Sequence, residues 1–143
     1  MNEDNWIKAL ATKERERRAR FEAFQSAVPT FVEGLVKALK LDIAVYEDEF
    51  PSERVGLESE PHRGSIHIVN HTYQPAPQAK IQCHSGRQEL SCDFESTGHH
   101  HSSWIEKLET SAAGLHLTGI SVEYSAKELS KRILLPILFP APL

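Results

Sequence analysis

The chain has 143 residues, of which 40% are hydrophobic and 25% are charged, a composition that predicts one globular domain over residues 1–143. Its longest apolar stretch, Ile133 to Leu143, is interrupted by prolines and falls well short of the roughly 20 residues that span a bilayer, so we expect no membrane segment. The acidic start, Met1 to Asn5, lacks the apolar run of a secretory signal. We therefore expect a cytoplasmic protein in which Cys83 and Cys92 are reduced.

The formal net charge of −4 is distributed unevenly along the chain. Residues 13–20 carry five basic and two acidic side chains, a net charge of +3, whereas residues 21–125 carry a net charge of −8. The acidic residues are densest between positions 47 and 60. Because this acidic majority would repel phosphate groups, the charge distribution argues against a general nucleic-acid-binding domain.

The first 40 residues predict a long helix that begins after Asn2 or Asp4, either of which can cap the free N–H groups. The centre of this helix, Lys13 to Arg20, is charged on every side. Pro29 is expected to kink the helix or to restart it, and a second segment, Phe31 to Lys40, follows. Apolar residues at helical spacing predict the buried side of the helix: Trp6, Phe21, Phe24, Phe31, Leu35 and Leu39.

Beyond the helix, the apolar period changes from 3.6 to 2 residues, which is typical of half-buried strands. Alternation predicts one strand over Leu41 to Val45 and another over Ile66 to Ile68. The strongest signal is a hairpin, in which alternating segments 79–83 and 90–94 flank a turn at Ser85-Gly86. The apolar residues of both segments are expected to share one buried face: Ile81, Cys83, Leu90, Cys92 and Phe94.

The C-terminal part of the chain contains two capping-box matches. The first, at Ser103, predicts a short helix that holds Trp104 and Leu108 on one face. A strand with a bulge at Gly119 is predicted over residues 115–124. The second match, at Ser125, predicts the start of the last helix, which Pro136 is expected to end or kink.

This order of elements predicts an α+β fold. The expected architecture is an antiparallel sheet of about four to five strands, with a long N-terminal helix and a C-terminal helix packed on one face. Some small secretion chaperones and immunity proteins share this order of elements. The likeness is one of layout alone and says nothing of function.

Eight histidines are the one excess in the composition, and they raise the question of a metal site. The candidate ligands are His67 and His84, which would meet on the exposed face of the sheet if Ile68 lay opposite Cys83. They would separate if Ile68 lay opposite Ile81, and both registers keep the apolar face buried. Since no recognised ligand spacing is present, we predict neither a metal nor any other cofactor.

No catalytic motif emerges from the sequence, which therefore leans against an enzyme without deciding the question. Cys83 and His84 are adjacent on a strand and face opposite sides of the sheet, so they cannot act as a nucleophile and its base. The histidine run at residues 99–101 falls in a predicted loop, where solvated imidazoles are expected. The glycines are scattered and form no phosphate-binding loop.

The basic segment has three alternative interpretations. It forms a solvated, ion-paired helix face, it docks against the acidic residues 47–60 or a partner protein, or it binds nucleic acid. The acidic remainder of the chain disfavours the third. The apolar tail, Ile137 to Leu143, needs either a groove on its own domain or a partner. The candidate binding residues are Arg15, Arg17, Arg18, Ile137, Leu138 and Phe139.

These observations together predict a non-enzymatic protein–protein interaction module of the adaptor, chaperone-like or immunity type. Its partner would be another protein or a second copy of the chain. The first alternative is a metal-dependent enzyme that uses histidines on the exposed sheet face. The second is a nucleic-acid binder that uses the basic helix, and its binding would depend strongly on salt.

Overall fold

A computed structural model of the chain describes residues 4–96 and 103–140. The histidine run at residues 99–101 and the end of the apolar tail lie outside this part. Over the described ranges the chain forms two α-helices and six strands. They are α1 (Asp4–Glu49), β1 (Val55–Glu60), β2 (Ser65–Asn70), β3 (Gln78–His84), β4 (Glu89–Glu95), β5 (Trp104–Ser111), β6 (Gly114–Leu117) and α2 (Val122–Leu138).

The strands form one antiparallel sheet in which each strand pairs with its neighbours in sequence, in the order β1 to β6. Both helices pack on one face of this sheet, because buried and outward-facing residues alternate along β2 and β3. The predicted α+β fold is confirmed. The sheet has six strands among the described residues, slightly more than predicted, and is curled.

The predicted hairpin is confirmed as β3 and β4, joined by a turn at residues 85–88. In its register Ile81 lies opposite Cys92, and Cys83 lies opposite Leu90. These four side chains are buried, while Phe94 is half-buried. The alternation of apolar and polar residues was therefore sufficient to assign both strands and their inner face.

Helix α1 runs without interruption through Pro29 and continues past Lys40 to Glu49. The predicted restart after Pro29 and the predicted strand at Leu41 to Val45 are therefore wrong. The helical spacing persists because Leu39, Ile43 and Tyr46 are buried one turn after another. Leu41 and Val45 belong to the outer side of the same helix, where they are 62% and 63% exposed.

The segment 104–111 forms strand β5, not the predicted short helix. Inner and outer side chains alternate along it: Trp104 is half-buried and Leu108 is buried, while Ile105 between them is 61% exposed. Pairing with β4 and β6 supplies the backbone hydrogen bonds that a helix would otherwise provide. The capping-box match at Ser103 has no structural counterpart.

Helix α2 begins one turn earlier than predicted. Its N-cap is Ser121, whose hydroxyl accepts a hydrogen bond from the backbone N–H of Tyr124. Ser125 is instead a buried residue inside the helix, and its hydroxyl accepts a bond of 2.8 Å from the N–H of Leu117. The predicted strand over residues 115–124 is accordingly wrong beyond Leu117, where β6 ends. The helix continues through Pro136 to Leu138.

Further polar contacts attach α2 to the rest of the domain. The Ser130 hydroxyl donates to Asp42 of α1 at 2.6 Å, and the buried Asn70 amide donates to the carbonyl of Ile137 at 3.0 Å. The guanidinium of Arg132 lies over the ring of Trp104 and forms a 2.8 Å ion pair with Glu106.

Candidate functional site: the projecting helical arm

The first part of α1 extends beyond the packed domain, and we call residues 5–20 the arm. Every residue in this range is exposed except Ala11 and Glu14, which are half-buried. The continuously buried face of α1 begins only at Phe24. At a rise of 1.5 Å per residue, the arm is about 24 Å long in a helix of about 69 Å. The arm therefore stays helical with almost no tertiary support.

The outer end of the arm carries an apolar tip formed by Trp6, Ile7 and Leu10. These side chains are 62%, 52% and 53% exposed. The prediction that Trp6 belongs to the buried side of the helix is wrong, because the sheet ends before the arm reaches this far. Their spacing of three and four residues places the three side chains on one side of the helix. The tip is an apolar surface without a partner in the described part of the chain.

The centre of the arm is basic and only partly ion-paired. The Glu14 carboxylate accepts bonds from Arg17 at 2.6 Å and from Arg18 at 3.1 Å. These two hydrogen bonds lower the pKa of Glu14 to about 2. Among the described residues, Lys13 and Arg20 form no ion pair, and the same holds for the guanidinium of Arg15, which donates to Thr12 at 3.3 Å.

At its base the arm meets the β3–β4 turn. Arg17, Arg20 and Phe21 line a cleft of about 270 Å³ together with residues 85–89 of that turn. Phe21 is half-buried there, as the last apolar residue before the fully buried stripe. Of the three arginines predicted as binding residues, Arg17 and Arg18 are engaged with Glu14. Arg15 remains the one available to a partner.

The predicted binding residues of the tail separate into two groups. Ile137 is fully buried and Leu138 is 6% exposed, so both pack in the core and the start of the tail has a groove on its own domain. Phe139 is 56% exposed, and its ring meets the edge of Tyr46 at 5.7 Å. The same tyrosine contacts Phe50 at 5.0 Å. Phe139 and Phe50 thus give the far end of α1 an exposed aromatic surface.

The far end of α1 is also acidic. Asp48 and Glu49 are exposed, and Glu47 accepts a hydrogen bond from the N–H of Val55 at 3.2 Å. One continuous helix separates this acidic end from the basic arm, and positions 16 and 48 are about 48 Å apart along it at 1.5 Å per residue. The predicted docking of the basic segment onto residues 47–60 of its own chain is therefore wrong. Only a second molecule can bring these charges together.

The two histidines named as metal ligands do not meet. Ile68 lies opposite Ala79, so neither of the two registers considered for this pair of strands is correct, and His67 faces Lys80. A ring nitrogen of His67 is 2.9 Å from the amide oxygen of Gln78, and His84 is 2.9 Å from the hydroxyl of Ser91. Within residues 4–96 and 103–140, no three His, Cys, Asp or Glu side chains form a group that could hold a metal ion.

The outer face of the sheet holds an open polar cavity of about 590 Å³. Glu58, His67, Lys80 and Asp93 cross it as a row of directly opposed residues on four strands. The cavity lacks a nucleophile paired with a base, and it is not enclosed by apolar walls. Its arrangement suits a solvated sheet face better than a reaction site.

Sequence reasoning missed Leu41 and Val45 as surface residues, because their alternation was assigned to a strand. Their spacing of four residues, read with Leu35 and Leu39, could have shown two stripes on one helix.

In the described part of the chain, no helix is both long enough and apolar enough to cross a membrane. No protein-family model, no curated protein and no solved structure shows significant similarity to this chain.

Proposed function

We propose that this chain is a non-enzymatic protein–protein interaction module of the cytoplasm, with the arm as its contact surface. One observation carries the proposal: α1 extends outside the core and exposes Trp6, Ile7 and Leu10 at its end. Large apolar side chains grouped on one helix face are typical of the helix-in-groove mode of recognition. Groups of this kind on a soluble surface commonly mark interaction sites.

The charges of the arm restrict the kind of partner. Lys13, Arg15 and Arg20 offer cationic groups beside the apolar tip, so the complementary surface is acidic with an apolar centre. Attraction of this kind raises the association rate and fixes the orientation more than it raises the affinity. The arm does not favour one of the adaptor, chaperone-like and immunity-type functions over the others.

The two alternative functions have weaker support. A metal-dependent enzyme would need paired ligands, whereas His67 and His84 have separate hydrogen-bond partners. A nucleic-acid binder would rely on one basic segment in a chain whose net charge is −4. Neither alternative accounts for the exposed apolar tip.

The proposal is tested by capture of binding partners from the native cell with purified full-length chain. Replacing Arg15, Arg17 and Arg18 with Glu should abolish the capture of specific partner proteins. The loss of binding should be larger at low salt, because salt screens exposed charges. The matched control reverses three exposed cations elsewhere and gives the same net charge. Its substitutions are Arg63→Glu, Lys80→Glu and Lys131→Glu.

Reversal of Arg17 and Arg18 also removes the ion pairs of Glu14. A second variant therefore leaves every charged residue of the arm in place. Leu10→Asp places a carboxylate in the apolar tip without changing any ion pair of the arm. This variant should lose the same captured proteins as the triple reversal. An identical set of captured proteins from wild type and from both arm variants would contradict the proposed function.

A further inference from the structure

We propose that the arm binds an acidic amphipathic helix of another protein, which packs along the side of the arm that faces the β3–β4 turn. This inference rests on the proposed function, because it names the class of partner for the same arm. Three observations carry it: the direction in which the apolar tip points, the cleft at the base of the arm, and the excess of positive charge in that cleft.

The apolar tip points to the same side of α1 as the core. Trp6 and Phe24 are eighteen residues apart, which is five full helical turns, so both side chains leave the helix in the same direction. Phe24 is fully buried in the core, whereas Trp6 is 62% exposed. The apolar stripe that packs inside the domain therefore resumes on the arm, beyond the point at which the sheet ends.

The β3–β4 turn forms a second wall beside this stripe. Residues 85–89 line a cleft of about 270 Å³ together with the base of the arm, where Phe21 is half-buried. We call the space between the core-facing side of the arm and this turn the recess. A Cβ atom added at Gly86 would meet nothing within 4 Å, so the turn borders open space. Leu10 and Phe21 are about 17 Å apart along the helix, so the recess extends over three turns.

The cleft end of the recess is cationic. Four cations and one anion line it, a net charge of +3: Arg17, Arg20, Arg87, Lys107 and Glu89. Lys107 pairs with Glu89 at 3.4 Å, and Arg17 is ion-paired within the arm. Arg20 and Arg87 are both exposed, and neither forms an ion pair with any residue that the structure describes. Two guanidinium groups of the cleft are therefore free to bind carboxylates.

The two ends of the recess define the chemistry of the partner. A stripe with helical spacing packs well against a second helix, which completes its own backbone hydrogen bonds and needs no sheet edge. Apolar side chains of that helix would cover Trp6, Ile7 and Leu10. Carboxylates about three turns further along would reach Arg20 and Arg87, where charge-assisted hydrogen bonds are strong. A basic helix would instead meet repulsion at the cleft.

The inference is tested with synthetic helical peptides and the purified full-length chain. The probe is an amphipathic peptide of about 18 residues, in which Leu forms the apolar face and Glu the polar face. Its twin carries Lys in place of every Glu. By fluorescence anisotropy at low salt, the acidic peptide should bind about tenfold or more tightly than the twin, and added salt should reduce the difference, because exposed charges are screened.

A matched pair of glycine substitutions tests the location of the site. Gly86→Glu places a carboxylate at the cleft, whereas Gly34→Glu places one on α1 outside the recess. Both glycines are exposed, and a Cβ atom added at either would meet nothing within 4 Å. Gly86→Glu should weaken binding of the acidic peptide about fivefold or more, because like charges then oppose each other. Gly34→Glu should bind as wild type does.

A charge reversal at the cleft supplies the converse test. The double variant with Arg20→Glu and Arg87→Glu should bind the acidic peptide more weakly than wild type and the basic twin more tightly. Circular dichroism of each variant verifies the fold. An exchange of preference of this kind is specific to charge recognition at the cleft, since loss of folding would weaken the binding of both peptides.

Three results would overturn the inference: equal affinity for the acidic peptide and its twin, unchanged binding of the acidic peptide by Gly86→Glu, or equally tight binding of a single-stranded oligonucleotide of the same net charge. The last result would show a general attraction to anions. Capture of cellular proteins that is lost with Leu10→Asp but kept with Gly86→Glu would reject the recess, and the proposed function would stand. Capture that neither substitution changes would reject both proposals together.

Discussion

Cys83 and Cys92 show how burial controls the chemistry of single residues in this fold. Burial raises the pKa of the Cys83 thiol to about 12, and burial together with the nearby Asp93 carboxylate does the same for Cys92. Because the thiolate is the reactive form, both groups remain protonated and unreactive at neutral pH. The hairpin register places each cysteine opposite an aliphatic residue, so the two sulfurs are not directly paired across the strands.

We predict that the unreduced protein contains two free thiols that react slowly while the chain is folded. Thiol titration with a chromogenic reagent should give almost no reaction in the native state at pH 8. After unfolding in denaturant it should give two thiols per chain. A count of zero in the denatured, unreduced protein would show a disulfide and would contradict the register of β3 and β4.

Leu35 provides a quantitative test of the core-facing side of α1. It is fully buried, so Leu35→Ala removes apolar contacts and leaves a cavity, and we expect a loss of about 2–5 kcal/mol in the free energy of unfolding. The matched control is Ile105→Ala, because Ile105 is 61% exposed on the outer face of the sheet. The control should change stability by less than about 0.5 kcal/mol. Urea titrations that gave equal losses for both variants would contradict the assigned core.

At the scale of elements, the stability of the arm depends on interactions within the helix itself. An isolated helix of this length is marginal in water, but the arm continues from a packed helix, so nucleation is already complete. Glu14 contributes through its bonds to Arg17 and Arg18. Its lowered pKa shows that the helical state favours the carboxylate over the neutral acid.

The pH dependence of the arm follows from the direction of that shift. The pKa of Glu14 falls from 4.5 to about 2, so its stabilisation is fully present above pH 4.5 and is lost as the pH falls towards 2. Backbone chemical shifts should report fraying of residues 5–20 in this window. Glu14→Gln should remove this pH dependence, and fraying should already be present at pH 6. If the chemical shifts of the arm respond to acid identically in the wild type and in Glu14→Gln, the stabilising role of the Glu14 carboxylate is contradicted.

The elements that the sequence predicted correctly are those in which local pattern and tertiary packing agree. The alternation in β3 and β4 matches their buried face, and the apolar spacing from Phe24 to Leu39 matches the core side of α1. The prediction failed at Leu41 to Val45 because exposed Leu41 and Val45 on the outer side of the helix alternate with Ile43, which is buried on the core side, and this alternation imitates a period of two. It failed at residues 104–111 because strand pairing, which is not visible in the local sequence, outweighed the capping match.

At the scale of the whole molecule, the site was only partly predictable. The arm was recognisable from the basic segment Lys13 to Arg20, because the charges of this segment can be counted directly from the sequence. Its projection from the domain was not predictable, because the position at which the sheet ends depends on how the strands pair. The register of β2 and β3 likewise determines whether His67 and His84 lie opposite each other. Registers that bury the same face of a sheet look equivalent in the sequence.

A deletion variant tests whether the arm stabilises the domain. A chain that lacks residues 1–16 loses none of the buried core residues that the structure describes, so its midpoint of thermal unfolding should match that of the wild type. Thermal unfolding followed by circular dichroism checks this expectation. A deleted chain that unfolds at a clearly lower temperature would show that the arm supports its own domain.

The unbroken course of α1 from the domain into the arm has a consequence for the divergence of this protein. Each residue turns a helix by about 100°, so one residue inserted between the arm and Phe24 would rotate every arm side chain by that angle relative to the domain. Seven inserted residues would restore the rotation to within about 20° while lengthening the arm by about 10 Å. Natural variants of this chain should therefore differ in arm length by steps near seven residues, with the rotational phase preserved.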